Sequence, residues 1–145
     1  MTDFPPFGEA RRRAFTLIEI MVVVVILGLL AALVVPRIGS QVDEAKRTTA
    51  RTQIKGLEDA AELYRLHNGF YPSTQQGLDA LVKAPTTSPV PKRYQEGGYI
   101  KSVPDDPWGN PYIYRNKNGR IQIVSTGPDG EEGGEGNDAD ITNDD

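Results

Sequence analysis

The chain has 145 residues, 38% hydrophobic and 25% charged, with 16 Lys and Arg against 20 Asp and Glu for a formal net charge of −4. A chain this short holds at most one compact domain beside a membrane helix, and a sequence pI near 5.0 argues against a broad electrostatic surface for nucleic acid. It has no cysteine, so a domain outside the cytoplasm must take its staples from a core, a metal ion or a neighbouring subunit.

Met1 to Ala14 contains Phe4, Pro5, Pro6, Phe7 and Gly8, shows no helical periodicity, and reads as a leader to be removed. It closes on Arg11, Arg12 and Arg13, after which the character changes abruptly. Phe15 to Val35 is a stretch of twenty-one residues in which Glu19 is the only ionisable group. At about 1.5 Å rise per residue a helix of that length is roughly 30 Å long, enough to cross a bilayer's hydrocarbon core. The β-branched run Val22–Val25 would be an odd helix in water. In lipid, backbone groups must be satisfied within the segment, and that selects the helix. Three arginines before the span outweigh the single Arg37 after it, which places the N-terminus in the cytoplasm and the rest of the chain outside. An ordinary secretory signal has a shorter apolar run and a cleavage site beyond it, and neither fits here.

Glu19 does not suit a plain anchor, because a charge deep in a bilayer costs about 2.5–3.5 kcal/mol on insertion scales. Two readings are open: the carboxyl lies near the headgroups without consequence, or a positive partner inside an assembly offsets its burial. Beyond Pro36, Ile38, Val42 and Ala45, then Ala50, Ile54, Leu57, Ala61 and Tyr64, recur at spacings of three and four. They form an apolar stripe on a helix whose other face carries Asp43, Lys46, Arg47, Arg51, Lys55, Glu58, Asp59 and Glu62. Asn68-Gly69 and Pro72 stop it. The expectation is one long helix, Phe15 to His67, apolar all round in its first half and on one side in its second. His67, the only histidine, sits where a helix C-terminus favours a cation rather than a metal.

The remainder reads as a small head packed on that stripe. Ser73 with Gln76 three residues later predicts a capped short helix to Val82. Pro85 to Pro91 is a loop and Tyr94 to Ile100 is irregular. Pro111–Arg115 and Arg120–Ser125, with Asn118-Gly119 between, predict a β-hairpin. Asp106 before Pro107 sets a turn, and Trp108 either caps the head's core or serves the protein's activity. From Asp129 to Asp145 there are eight acids and no base. Composition alone makes this a solvated acidic tail. Asp129-Gly130 and Asp138-Ala139-Asp140 also offer the hard oxygen ligands that Ca²⁺ takes, though not at the spacing of an EF-hand.

Arg13-Ala14-Phe15-Thr16-Leu17-Ile18-Glu19 resembles the processing site of type IV pilins and type II secretion pseudopilins. The resemblance implies that a prepilin peptidase cuts between Ala14 and Phe15, that Phe15 is then N-methylated, and that Glu19 is the family's assembly glutamate. The family's leader normally ends in Gly, where this chain has Ala14. The stretches from Gly69 to Leu78, Gly97 to Ile100, Asp105 to Tyr112 and Gly127 to Gly130 resemble the major pseudopilins of type II secretion, and the match covers about Arg13 to Thr142. The implied fold is α+β and type IV pilin-like: a long N-terminal helix, first half transmembrane, on a small antiparallel sheet with a calcium-binding C-terminal loop. Its parts are a leader (1–14), a transmembrane and assembly helix (15–36), an amphipathic helical half (37–68) and a periplasmic head (69–145). The resemblance further implies one Ca²⁺ on the side chains of Asp129, Asp138 and Asp140 and the backbone carbonyls of Thr126 and Ile141. The protein would be a single-pass inner-membrane subunit of a helical periplasmic homopolymer that drives export of folded proteins. Its partners would be minor pseudopilins, the inner-membrane assembly platform and the peptidase.

A type IV pilus subunit would share the N-terminus and helix, but many such pilins close their C-terminal region with a disulfide. A membrane-anchored enzyme lacks support, since no nucleophile–base pair can be proposed from spacing.

Overall fold

The structure, a computed structural model, describes residues 15–144 and, within them, all side chains except those of 34–40. The backbone groups into two compact units, Met1–Ser40 and Gln41–Asp145. Helix α1, Leu17–Asn68, has 52 residues. It begins two residues later than the apolar boundary because Thr16 takes the N-cap position. The Thr16 carbonyl accepts from the N–H of Glu19 and Ile20, and its hydroxyl accepts from Glu19 N–H at 3.3 Å.

In the first unit every described side chain from Phe15 to Leu33 is exposed, Phe15 at 75% and Leu17 at 81%. Among the described residues no helix is long and apolar enough to cross a membrane. The expected span runs on to Val34 and Val35, whose side chains, with the whole leader and Ala14, lie outside the described residues.

In the second unit the apolar stripe becomes the core. Ala50, Ile54, Leu57, Ala61 and Tyr64 are all buried, joined by Leu78, Leu81, Tyr112, Tyr114, Ile121, Ile123 and Ile141. The stripe starts later than its periodicity suggests: Val42 and Ala45 are exposed, while Lys46 and Arg47 are half-buried. Burial follows the head rather than the pattern, and the head reaches α1 only from about Arg47 onward.

The expected helix from Ser73 to Val82 shrinks to a 3-10 turn, η1, Leu78–Leu81. The capping box does form, with Gln76 N–H donating to Ser73 Oγ and Ser73 N–H donating to Gln76 Oε1. Gly77, at φ +61°, then turns the chain out of helical conformation. Buried Gln76 also donates through Nε2 to the Thr87 and Pro89 carbonyls, fixing the proline-rich loop. The hairpin pairs β1, Ile113–Lys117, antiparallel with β2, Arg120–Ser125. Asn118 (φ 55°) and Gly119 (φ 83°) form a turn whose twist matches the strands. A third strand, β3, Ile141–Thr142, pairs with β2, placing Ser125 opposite Ile141. Two residues in an acidic tail carry no strand periodicity, so this strand has no signal in the sequence.

Candidate assembly motif and acidic loop

The first candidate site is the start of α1. Thr16 and Glu19 stand three apart, the spacing of a capping box, and Glu19 N–H donates to the Thr16 hydroxyl. Glu19 lies in the first helical turn, where a carboxylate complements the positive helix end. Phe15 is exposed and lies two residues before the first residue of the helix.

The second site is the loop from Thr126 to Ile141. The carboxylate of Asp106, only 4% exposed, builds its floor. Oδ1 accepts from the N–H groups of Trp108 (3.0 Å) and Asn110 (2.8 Å), and Oδ2 accepts from Ser125 Oγ at 2.6 Å. Each carboxylate oxygen is thereby satisfied, which is what a buried charge needs to be tolerated. The turn it closes packs Trp108 against the core, so the packing reading of that residue holds. Asn110 Nδ2 then donates to the Gly127 carbonyl at 3.0 Å, tying this turn to the root of the loop.

Within the loop, Asp129 Oδ1 accepts from Glu131 N–H at 3.1 Å. Gly133 and Asp140 clasp each other: Gly133 N–H donates to Asp140 Oδ2 (3.0 Å) and Asp140 N–H to the Gly133 carbonyl (3.2 Å). Gly134 has φ +81°, and a Cβ there would stand 2.4 Å from the Asp138 carbonyl oxygen, so only glycine fits. From α1, Arg47 Nη1 donates to the carbonyls of Asn137 (3.2 Å) and Ala139 (3.0 Å). Its place among Lys46, Arg51 and Lys55 marks Arg47 as part of the solvated face, and a basic residue there gives no sign of a partner some ninety residues away. Arg115 holds Glu132 at 2.6 and 2.7 Å.

The expected metal ligands are thus distributed unevenly. Thr126 and Ile141 are buried, and the β2–β3 register brings their backbones to the same end of the sheet. Asp140 is half-buried, whereas Asp129 and Asp138 are exposed. Among the described residues no three acidic or histidine side chains gather closely enough to hold a metal ion. One observation nevertheless suits a hard cation. Asp140 Oδ1 is buried with no hydrogen-bond partner, an arrangement that is costly unless something else satisfies it. His67 stays apart from both sites, its Nδ1 3.2 Å from Tyr99 Oη.

The family model described as "Type II secretion system (T2SS), protein G" matches residues 37–144, and the "Prokaryotic N-terminal methylation motif" matches 10–35. The chain is 56% identical over 135 residues to type II secretion system core protein G of Pseudomonas aeruginosa, covering 92% of this chain and 95% of that protein. It is 51% identical over 135 residues to the Vibrio cholerae core protein G, covering 92% of each. The crystal structure of the major pseudopilin from the type 2 secretion system of enterohaemorrhagic Escherichia coli aligns with a TM-score of 0.64 at 42% identity, over 72% of this chain and 87% of that one. The long N-terminal helix, the three-stranded antiparallel sheet and these matches agree: the chain belongs to the type II secretion system protein G family, the pseudopilins.

Proposed function

We propose that this chain is the structural subunit of a periplasmic pseudopilus, a helical homopolymer whose growth drives folded proteins across the outer membrane. The observation that carries this reading is the uncovered sleeve of α1, where Phe15, Leu17, Ile18 and the residues to Leu33 are all exposed. Apolar surface on that scale needs lipid before assembly and other copies of itself afterwards. Before assembly the helix anchors the subunit in the inner membrane by a single pass, N-terminus cytoplasmic and head periplasmic. Prepilin peptidase frees Phe15, which is then N-methylated. In the fibre Glu19 pairs with the Phe15 amine of a neighbour, setting register and offsetting the burial of both charges. Minor pseudopilins and the inner-membrane platform are the partners this reading requires. The role is mechanical, and no catalytic step is assigned to the head.

A calcium ion belongs to the same reading. Asp140, with its unpartnered oxygen, would hold it, the carbonyls of Thr126 and Ile141 would add neutral donors, and Asp129 and Asp138 would close the shell. The ion would supply the cross-link that the cysteine-free head lacks.

The test is Glu19→Ala in a strain lacking the wild-type gene. We expect normal membrane insertion, no fibres and loss of exoprotein release. Normal release and fibres from this variant would refute the assembly role, and loss of surface motility with release intact would indicate a type IV pilus instead.

A further inference from the structure

Along the helical part of the head, Gln41–Asn68, the two ends carry opposite chemistry. At the N-terminal end Arg47 holds the acidic loop through the Asn137 and Ala139 carbonyls. Glu131 and Glu135 are exposed there, and neither forms an ion pair among the described residues, whereas Glu132 is occupied by Arg115. At the C-terminal end Leu66 is 66% exposed and Val90 55% exposed, the two most exposed large apolar side chains among the described residues of Gln41–Asp145. They line an open depression with Phe70, and Lys92 and Arg93 stand on its rim. Both cations are exposed and without an ion pair among the described residues.

The rim is held in place. Arg93 N–H donates to Asn68 Oδ1 at 3.1 Å, while Asn68 Nδ2 donates to the Tyr64 carbonyl and to Tyr99 Oη, so the last turn of α1 fixes the segment carrying both cations. Nineteen residues separate Arg47 from Leu66, about 28 Å of helix at 1.5 Å per residue. An anionic end and an apolar, cationic end that far apart on one molecule cannot satisfy each other within it. They can between copies related by translation along the helix axis. Such a contact is heterologous, and a heterologous contact propagates into a filament rather than closing.

We infer that the Leu66–Val90 depression, with Lys92 and Arg93 on its rim, receives the acidic loop of a second copy of this chain, whose Glu131 and Glu135 pair with the two cations. The inference rests on the fibre-subunit reading and adds to it a head-to-head contact independent of the α1 core. Opposite charge fixes which end meets which, and Leu66 and Val90 lose their exposure to water.

The absence of native cysteine makes the test direct. The full-length chain carrying Val90→Cys together with Glu135→Cys is expressed in a secretion-competent strain, and its fibres are oxidised. The expected result is a ladder of disulfide-linked dimers, trimers and longer species that neither single variant gives. Arg93→Glu should lower fibre yield about tenfold by setting like charges face to face, and adding Glu135→Lys to the same chain should restore it. Wild-type amounts of fibre without a ladder would overturn the contact, as would cross-linking of Val90→Cys only to a protein of different mass. If the unmodified chain makes no fibres at all, the fibre-subunit reading fails first and the contact falls with it.

Discussion

Glu62 shows how one residue can be tuned on an otherwise solvated helix face. Arg65, one turn along α1, and the Tyr71 hydroxyl both donate to its carboxylate. These hydrogen bonds, Arg65's first, hold its pKa at about 2 against an ordinary 4.5, and Tyr71 is correspondingly pushed up. A carboxyl depressed in the folded state contributes stability above its unfolded pKa and loses it as pH falls through the folded value. Glu62→Gln should therefore melt below the wild type near neutral pH, with the gap closing between pH 4.5 and about 2. A gap that persists at the acid end would mean that the pairing does not act through charge. The group is partly exposed, so salt should narrow the gap. At this scale the sequence was only half legible. Asp106 is readable as a turn former from its place before Pro107. Nothing in the sequence marks Ser125, Asn110 or Arg47 as partners of distant groups, because their hydrogen bonds depend on how the chain folds back.

Among the elements, those with strong periodicity or fixed turn chemistry were readable and those without were not. The stripe from Ala50 to Tyr64 is buried as its spacing demands, and Asn118-Gly119 sits in the left-handed conformation that a tight hairpin needs. Gly77 cut short a helix that the capping box had begun, and β3 is held by pairing with β2 rather than by any preference of Ile141 and Thr142. The acidic loop is the element whose chemistry composition could not decide between tail and metal site. Its clasp of Gly133 with Asp140 and its anchor to Arg47 show an ordered loop, and the buried Asp140 oxygen is the point at which a cation would act. Full-length protein in detergent, melted in calcium and then in chelator, tests this. At a hundredfold excess over its dissociation constant a bound ion adds about 2.7 kcal/mol, a shift of roughly 10 °C for a domain this size. Asp140→Ala should abolish the shift and Asp129→Ala should reduce it. An unchanged wild-type melt in chelator would leave the loop an acidic surface segment held by Arg47 and Arg115 alone.

The molecule as a whole divides its surface between two environments. The head buries its core on one stripe of α1 and meets water elsewhere, while the start of α1 has no intramolecular cover at any described position from Phe15 to Leu33. Apolar surface so exposed calls for lipid or other copies of the chain, and in the proposed reading the boundary at Phe15 decides when the subunit passes from one to the other, since an unprocessed chain would have no free Phe15 amine to offer a neighbour's Glu19. The direct measurement is the mass and N-terminal sequence of subunits recovered from sheared fibres. The account predicts a chain that begins at N-methylated Phe15, with no subunit retaining Met1 to Ala14; fibres built from chains that still begin at Met1 would contradict it.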